Sequence, residues 1–303
     1  MNRREFLARA VVSAAVARTA TVRGQDRDQS KLARVAIMSL GFNSILKNAA
    51  QPDDPARTLD ILDLPQMLAR RYGVHNVELQ HSHLPSTEAA YLGELRDRLA
   101  QAESRVTNIN LEFGPQNISA ADPLLRQQAI DRTKEWIDAA AALGCPRIMV
   151  NQGTLVPESK DVAIAALKAM SDYGRSRRIM VAMENRGGGR QSAAATGAPA
   201  APAPAAWVLL VEVIKASGTY ANCDLGNFPD QETQHAGIRG MLPLTDGNCH
   251  VKLNPARYDL TAALALVKEL GYTGLYSIEA NGSSGADPYA AVQRIYDALI
   301  PSI

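Results

Sequence analysis

Short apolar runs alternate along the chain with longer stretches in which apolar residues recur every three or four positions. The short runs predict eight strands, at 34–40, 75–80, 107–113, 147–151, 179–185, 220–224, 248–253 and 275–280. The longer spacing predicts helices in the segments 61–68, 92–99, 123–143, 260–270 and 288–299. Regular alternation of this kind predicts a parallel sheet with helices on its outside.

The number of repeats distinguishes two α/β architectures. Eight strand–helix units in a chain of 303 residues favour a closed (β/α)8 TIM barrel, which typically uses about 250 residues. The alternative is an open, doubly wound sheet. No Gly-x-Gly-x-x-Gly follows the first predicted strand, so the usual dinucleotide-binding sequence is missing from the place where such a sheet would carry it.

The N-terminal residues are typical of an export signal. Arg3 and Arg4 are followed by Glu5, by Phe6-Leu7 and then by a short Ala/Val-rich stretch with small residues near Ala17. We therefore predict a twin-arginine signal and linker over 1–31, a barrel over 32–303, and a periplasmic or otherwise exported protein that meets the twin-arginine machinery. A frayed helix that happens to carry two arginines is the alternative. The apolar stretch falls short of the about 20 residues that a spanning helix needs, and we predict no membrane span.

One segment interrupts the alternation. Residues 187–206 combine a glycine run with an Ala/Pro/Gly-rich stretch after the fifth strand, and this composition predicts a flexible insertion. In a barrel, the insertion would lie on the face that carries active sites. The composition and position of this segment fit either a tolerated surface insertion or a flexible lid over the active site.

Charge and cysteine content narrow the classes of function. Lys and Arg total 32 against 31 acidic residues, so no overall field favours nucleic acid, and we predict no nucleic-acid partner. The three cysteines are an odd number and do not suggest a disulfide framework.

Polar residues occur at or near the ends of four successive predicted strands. They are Glu184, Asp224, His250 and Glu279. In a barrel these side chains converge at one mouth, where three carboxylates would repel one another unless a cation neutralised them. An oxygen-rich set with one imidazole suits one divalent ion, Mn2+ first and Mg2+, Co2+ or Zn2+ as alternatives.

The order Glu, Asp, His, Glu on strands five to eight resembles the metal site of the xylose isomerase-like sugar isomerases and epimerases. The strings Glu184-Asn185, Asp224-Leu-Gly-Asn227, His250-Val-Lys252 and Ser277-Ile-Glu279 carry the resemblance, which extends over about residues 33 to 300. One departure is Asn227, where epimerase-like members often have a histidine. The small number of histidines, five in all, does not fit the multinuclear DNA-repair members of that superfamily.

The resemblance implies isomerisation or epimerisation of a free, non-phosphorylated sugar or keto-sugar through an enediolate. Glu184 and Glu279 would be metal ligands and acid/base catalysts, while Asp224 and His250 would hold the ion. Lys252 lies two residues after His250 and is therefore on the same side of the strand, where it could stabilise an oxyanion or protonate a leaving group. A salt bridge with one of the carboxylates is an equally good interpretation of Lys252.

Other polar residues near predicted strand ends are candidates for binding the carbohydrate substrate. They are Glu78, His83, Asn110, Asn151 and Asn227. Two further hypotheses remain open: a lyase or dehydratase acting on a keto-sugar or 3-keto-glycoside, and an exported sugar-binding barrel without catalysis. The sequence also leaves the oligomeric state open.

Overall fold

Eight parallel strands close into a single barrel in which each strand pairs with the next and the last pairs with the first. The computed structural model describes residues 29–186, 203–280 and 286–303. The strands are β1 Val35–Met38, β2 Asn76–Gln80, β3 Arg105–Asn110, β4 Arg147–Val150, β5 Met180–Glu184, β6 Tyr220–Asp224, β7 Thr245–Val251 and β8 Leu275–Ile278. The prediction of a (β/α)8 TIM barrel is confirmed.

A helix follows each strand and covers the outside of the barrel. In the described part of the chain, the longer helices are α1 Leu64–Tyr72, α2 Ala89–Gln101, α3 Pro123–Leu143, α4 Lys160–Arg177, α5 Ala203–Ser217, α6 Gln231–Met241, α7 Leu260–Glu269 and α8 Pro288–Leu299. The apolar pattern predicted α1, α2, α3, α7 and α8, with α3 and α8 at the observed bounds. It did not single out α4, α5 or α6.

Aspartate side chains begin several of these helices. Asp122, Asp230, Asp259 and Asp287 each accept a hydrogen bond from a backbone N–H of the first turn that follows. Such a cap satisfies a donor that the helix itself leaves without a partner. At the other end of α3, Gly144 takes a left-handed conformation, with φ of 70°, which a residue without Cβ adopts freely. The caps therefore set where the barrel's loops begin and end.

The interior of the barrel is partly polar. In β2, the apolar Val77 and Leu79 alternate with Asn76, Glu78 and Gln80, and all five are buried. Glu78 receives a hydrogen bond from Asn248 Nδ2 at 3.4 Å, across the barrel from β7. Since β2 and β7 are not neighbours in the sheet, this contact places both side chains inside the barrel.

Several predictions from the sequence concern residues outside the described part. Of the predicted signal and linker, 1–31, residues 1–28 lie outside the described part, and so do residues 187–202 of the predicted insertion. The last residues of the predicted insertion coincide with the start of α5. None of the described helices combines the length and the hydropathy needed to cross a bilayer. Cys145, Cys223 and Cys249 are free, buried thiols.

Candidate metal centre

The four residues predicted to converge do so at the carboxyl end of the barrel. Glu184 and Asp224 are the last residues of β5 and β6, His250 is next to last in β7, and Glu279 follows β8. One potential ligand atom from each residue lies within 4.8 Å of the others. All four residues are buried. Their register explains the convergence, because Asp224 is the direct neighbour of His250 across the β6–β7 pair.

The two ring nitrogens of His250 face different carboxylates. Nδ1 lies 2.7 Å from Glu184 Oε1 and 3.0 Å from Glu279 Oε2, on the side of the cluster. Nε2 lies 2.6 Å from Glu78 Oε1, on the side of the barrel interior. Burial by itself disfavours the charged imidazole, but the negative charge of Glu78 and the bonds to these carboxylates outweigh it. As a result, the pKa of His250 is raised well above its ordinary value before any cation is added.

Lys252 joins two members of the cluster. Its Nζ lies 2.6 Å from Asp224 Oδ2 and 3.0 Å from Glu279 Oε1, and it donates a hydrogen bond to Asn227 Oδ1 at 3.1 Å. Burial opposes the ammonium charge, yet Asp224 and Glu279 outweigh burial and raise the pKa of Lys252. The salt bridge considered for Lys252 is therefore present, and it engages two carboxylates.

The pKa values of Glu184 and Glu279 are shifted in opposite directions. Burial is the largest influence at Glu184 and, despite the opposing bond from His250, raises its pKa to about 7. Burial also acts on Glu279, but the charge of Lys252 and the bond to His250 outweigh it and lower the pKa to about 2. In the protein before a cation is added, one carboxyl group thus holds a proton more readily than the other.

An arginine that the sequence analysis missed also reaches the cluster. Arg186 Nε lies 3.1 Å from Glu184 Oε2, and the same guanidinium pairs with Glu112 just beyond β3. Glu112 in turn accepts a hydrogen bond from Asn151. The only signal in the sequence was the position of Arg186, two residues after Glu184, where the chain enters the low-complexity segment.

The five residues predicted to bind substrate fall into two groups. Asn151, Asn227 and His83 are partly exposed around the mouth. His83 is held there by Ser39 Oγ at 2.9 Å and Asn43 Oδ1 at 3.2 Å. Glu78 and Asn110 are fully buried, and Asn110 donates to Glu78 at 2.7 Å. Their contacts are therefore with the barrel interior and, for Glu78, with His250.

The donor set fits a divalent ion. Three carboxylates and the Nδ1 side of one imidazole supply hard oxygen ligands and one nitrogen within a small buried volume. Cys223 and Cys249 precede two of these residues but are buried on the alternate positions of β6 and β7, so no thiolate joins the set.

Comparison with known proteins agrees with the barrel fold. Residues 67–196 match the family model described as xylose isomerase-like TIM barrel. An L-ribulose 3-epimerase structure superimposes with a TM-score of 0.67 at 15% identity, covering 89% of this chain and 93% of that one. No curated protein sequence matches the chain significantly.

Two further structures match over a similar share of the chain. A xylose isomerase-like TIM barrel protein from Mycobacterium smegmatis in complex with magnesium has a TM-score of 0.61 at 17% identity, covering 89% of this chain and 96% of that one. The 3-keto-D-glucoside 4-epimerase from E. coli has a TM-score of 0.63 at 14% identity, covering 89% of this chain and 99% of that one. At such identities the likeness shows the fold alone, an eight-stranded parallel TIM barrel.

Proposed function

We propose that the protein is a divalent-metal-dependent isomerase or epimerase of a free sugar or keto-sugar, acting through an enediolate. The observation that carries the proposal is the pair of carboxylates beside His250 Nδ1, Glu184 at 2.7 Å and Glu279 at 3.0 Å, within one buried ligand set. The 3-epimerases among proteins of the same fold support the class of substrate.

The proposed cofactor is one divalent ion held by Glu184, Asp224, His250 and Glu279. When bound, the ion would supply Lewis-acid stabilisation of negative charge on neighbouring substrate oxygens. Mn2+ is the first candidate, and the magnesium complex of a protein with the same fold supports Mg2+ as the second.

The protein's own groups would then move the proton. Glu184 and Glu279 are the two carboxylates that would remove a proton from carbon and return it, and Lys252 Nζ lies 3.0 Å from Glu279 Oε1. Lys252 can donate a hydrogen bond to a developing oxyanion because it lies partly exposed at the mouth, with its side chain 13% accessible.

A lyase acting on a keto-sugar or 3-keto-glycoside is the second candidate. Lys252 Nζ lies 3.0 Å from Glu279 Oε1, so an acid is placed beside the proposed base, as elimination of a leaving group requires. Asn227, which accepts a hydrogen bond from Lys252, cannot itself exchange protons.

The test is product analysis by NMR in deuterated water, with Mn2+-loaded protein, a panel of free sugars, keto-sugars and 3-keto-glycosides, and removal of the ion before the spectra. Deuterium beside a carbonyl together with a new sugar isomer would support the isomerase or epimerase. An unsaturated keto product or a released aglycone would assign the protein as a lyase. Binding of panel members without exchange would favour a non-catalytic sugar-binding barrel.

Export is a separate proposal that rests on the N-terminal sequence alone. Arg3 and Arg4 with the following apolar stretch support passage through the twin-arginine route to the periplasm. A fusion of residues 1–31 to a folded reporter should be exported in a bacterium with that route, and a fusion with both arginines replaced by lysine should remain inside the cell.

A further inference from the structure

Glu78 lies inside the barrel beneath the candidate metal centre. It occupies the middle of β2 and is 0% exposed. Its Oε1 is 2.6 Å from Nε2 of His250, the ring nitrogen that faces away from Glu184 and Glu279. A substrate at the mouth therefore meets the opposite side of the imidazole, and His250 is the member of the cluster that Glu78 contacts.

The groups around Glu78 all donate hydrogen bonds to it. Oε1 accepts from Asn110 Nδ2 at 2.7 Å and from Asn108 Nδ2 at 3.1 Å, in addition to His250. Oε2 accepts from Asn248 Nδ2 at 3.4 Å. A cage of donors from two strands, β3 and β7, suits a group that only accepts, which is an ionised carboxylate. Such a cage is needed because a buried charge without partners is very unfavourable.

When a cation replaces one of the two protons of the His250 ring, this arrangement would determine which nitrogen keeps the other. When Nε2–H is donated to Glu78, the lone pair of the neutral ring stays on Nδ1. Nδ1 is the nitrogen that faces Glu184 and Glu279, where the ligand atoms of the cluster converge. The opposite tautomer would direct a proton into the cluster and place a lone pair against the carboxylate of Glu78.

We propose that Glu78 is a positioning residue that fixes the Nε2–H tautomer and the ring orientation of His250, and thereby raises the affinity of the centre for a divalent cation. The inference rests on the proposed function in so far as that function requires a metal. It assigns Glu78 to support of the metal centre, in place of the substrate contact predicted from its position near the end of a strand.

The first experiment measures the dissociation constant for Mn2+ alone, with metal-free wild-type protein and the variant Glu78→Gln. Glutamine keeps the size of the side chain but brings an NH2 group into a cage of donors, so we expect affinity to fall by about 10- to 100-fold. Glu78→Asp keeps the charge while moving it away from Nε2 of His250. The affinity of this variant for Mn2+ should lie between those of the wild type and Glu78→Gln.

Asp246→Asn is the matched control. Asp246 is a buried carboxylate in the N-terminal part of the same strand as His250, and it pairs with Arg147 at 2.6 Å instead of with the histidine. This variant should lose stability but keep wild-type affinity for Mn2+. Equal affinities of wild type and Glu78→Gln for Mn2+, or an equal loss of affinity in Asp246→Asn, would overturn the proposed role of Glu78. Neither result would bear on the proposed function. Failure of the wild type to bind Mn2+ would overturn the proposed function together with this inference.

A second measurement uses the wild-type protein only and so does not depend on whether the variants fold. In 15N-histidine NMR spectra, the resonances of His250 are identified as those that move most when Mg2+ is added to the protein. We expect a proton on its Nε2 at the downfield position of a strong hydrogen bond, and none on Nδ1. A proton on Nδ1 instead would overturn the proposal.

Discussion

Lys252 Nζ lies 2.6 Å from Oδ2 of Asp224, so the ammonium group is paired with a carboxylate that the proposed metal ion also needs. Asp224 ends β6, Lys252 directly follows the adjacent strand β7, and Asp224 is 0% exposed. An interaction between charges in a buried site is screened little by solvent or salt. Lys252 and a bound divalent ion should therefore share, and partly compete for, the negative charge of the cluster.

The first prediction concerns Lys252→Gln. Removal of a positive charge beside the proposed ion should tighten Mn2+ binding by about tenfold, equivalent to about 1.4 kcal/mol. If Lys252 serves as an acid or oxyanion donor, turnover should fall by about 10²- to 10⁴-fold in the same variant. Calorimetric titration with Mn2+ and steady-state rates measure the two effects. Turnover at the wild-type rate would leave Lys252 with only a role in the salt bridge.

The second prediction concerns Glu279→Gln. The substitution keeps the shape of a side chain that contacts both His250 and Lys252 but removes the charge that accepts a proton, so the fold should persist while turnover is lost. Circular dichroism and rate measurements check the two parts. Glu269→Gln provides the control, because Glu269 is an exposed carboxylate paired with Arg239. A near wild-type rate in Glu279→Gln would refute the acid/base assignment.

The third prediction concerns metal and stability. A ligand that binds only the folded state at 100 times its dissociation constant adds about 2.7 kcal/mol to the free energy of unfolding, so Mn2+ should raise the unfolding temperature by several degrees. A chelator should reverse the rise. Asp224→Asn should show little rise, whereas Asp246→Asn should keep it. Equal rises in wild type and Asp224→Asn would indicate that Mn2+ binds elsewhere.

The fourth prediction concerns acid sensitivity and His81. This ring is buried edge-on against Phe113 and Trp136, with centroids 4.9 and 5.5 Å away, and burial lowers its pKa to about 4. The unfolded chain, with a histidine pKa of about 6.5, therefore binds more protons between pH 4 and 6.5. Stability from this source is fully present above pH 6.5 and is lost as pH falls towards 4.

Burial also lowers the pKa of His83 to about 4, so both rings contribute in the same pH window. His81→Asn can keep the acceptor that His81 Nδ1 offers to the Glu112 N–H at 3.2 Å, but it cannot be protonated. The unfolding free energy of the variant should therefore decrease less between pH 6.5 and 5 than that of the wild type. Urea unfolding across this range is the measurement, and an unchanged slope would contradict the prediction.

The strands were predicted well because the short apolar runs of the sequence coincide with the strands of the barrel. β6 has its predicted bounds, Tyr220 and Asp224. β3 ends at Asn110, before the predicted limit at 113, although the apolar pattern continues. β4 ends at Val150, and the register pairs Asn110 with Met149, so the later residues run out of a strand partner.

The sequence could not predict depth within the barrel. Alternation places both Glu78 and Gln80 on the inward side of β2, but it does not distinguish a side chain at the mouth from one beneath it. The register and the three-dimensional contacts of Glu78 with His250 were needed for that distinction. Arg186 escaped notice for another reason, since a lone arginine before a low-complexity segment has no periodicity to reveal a partner.

The last prediction concerns a buried ion pair at the opposite end of the barrel. Arg147 Nε lies 2.6 Å from Asp246 Oδ2, with side chains 6% and 1% exposed, and Arg147 also donates to the backbone oxygens of Asp246 and Thr107. Arg147→Met would leave the Asp246 carboxylate buried without a partner, so we expect a loss of about 3–5 kcal/mol in the free energy of unfolding.

The double variant Arg147→Met with Asp246→Asn removes both charges and should recover part of that loss, because the cost comes chiefly from the unpaired carboxylate. Denaturant unfolding of the two variants and the wild type measures the difference, and Mn2+ affinity should stay at the wild-type value in both. A double variant no more stable than Arg147→Met would show that the arginine acts through its bonds to the backbone oxygens, with the charge of Asp246 contributing little.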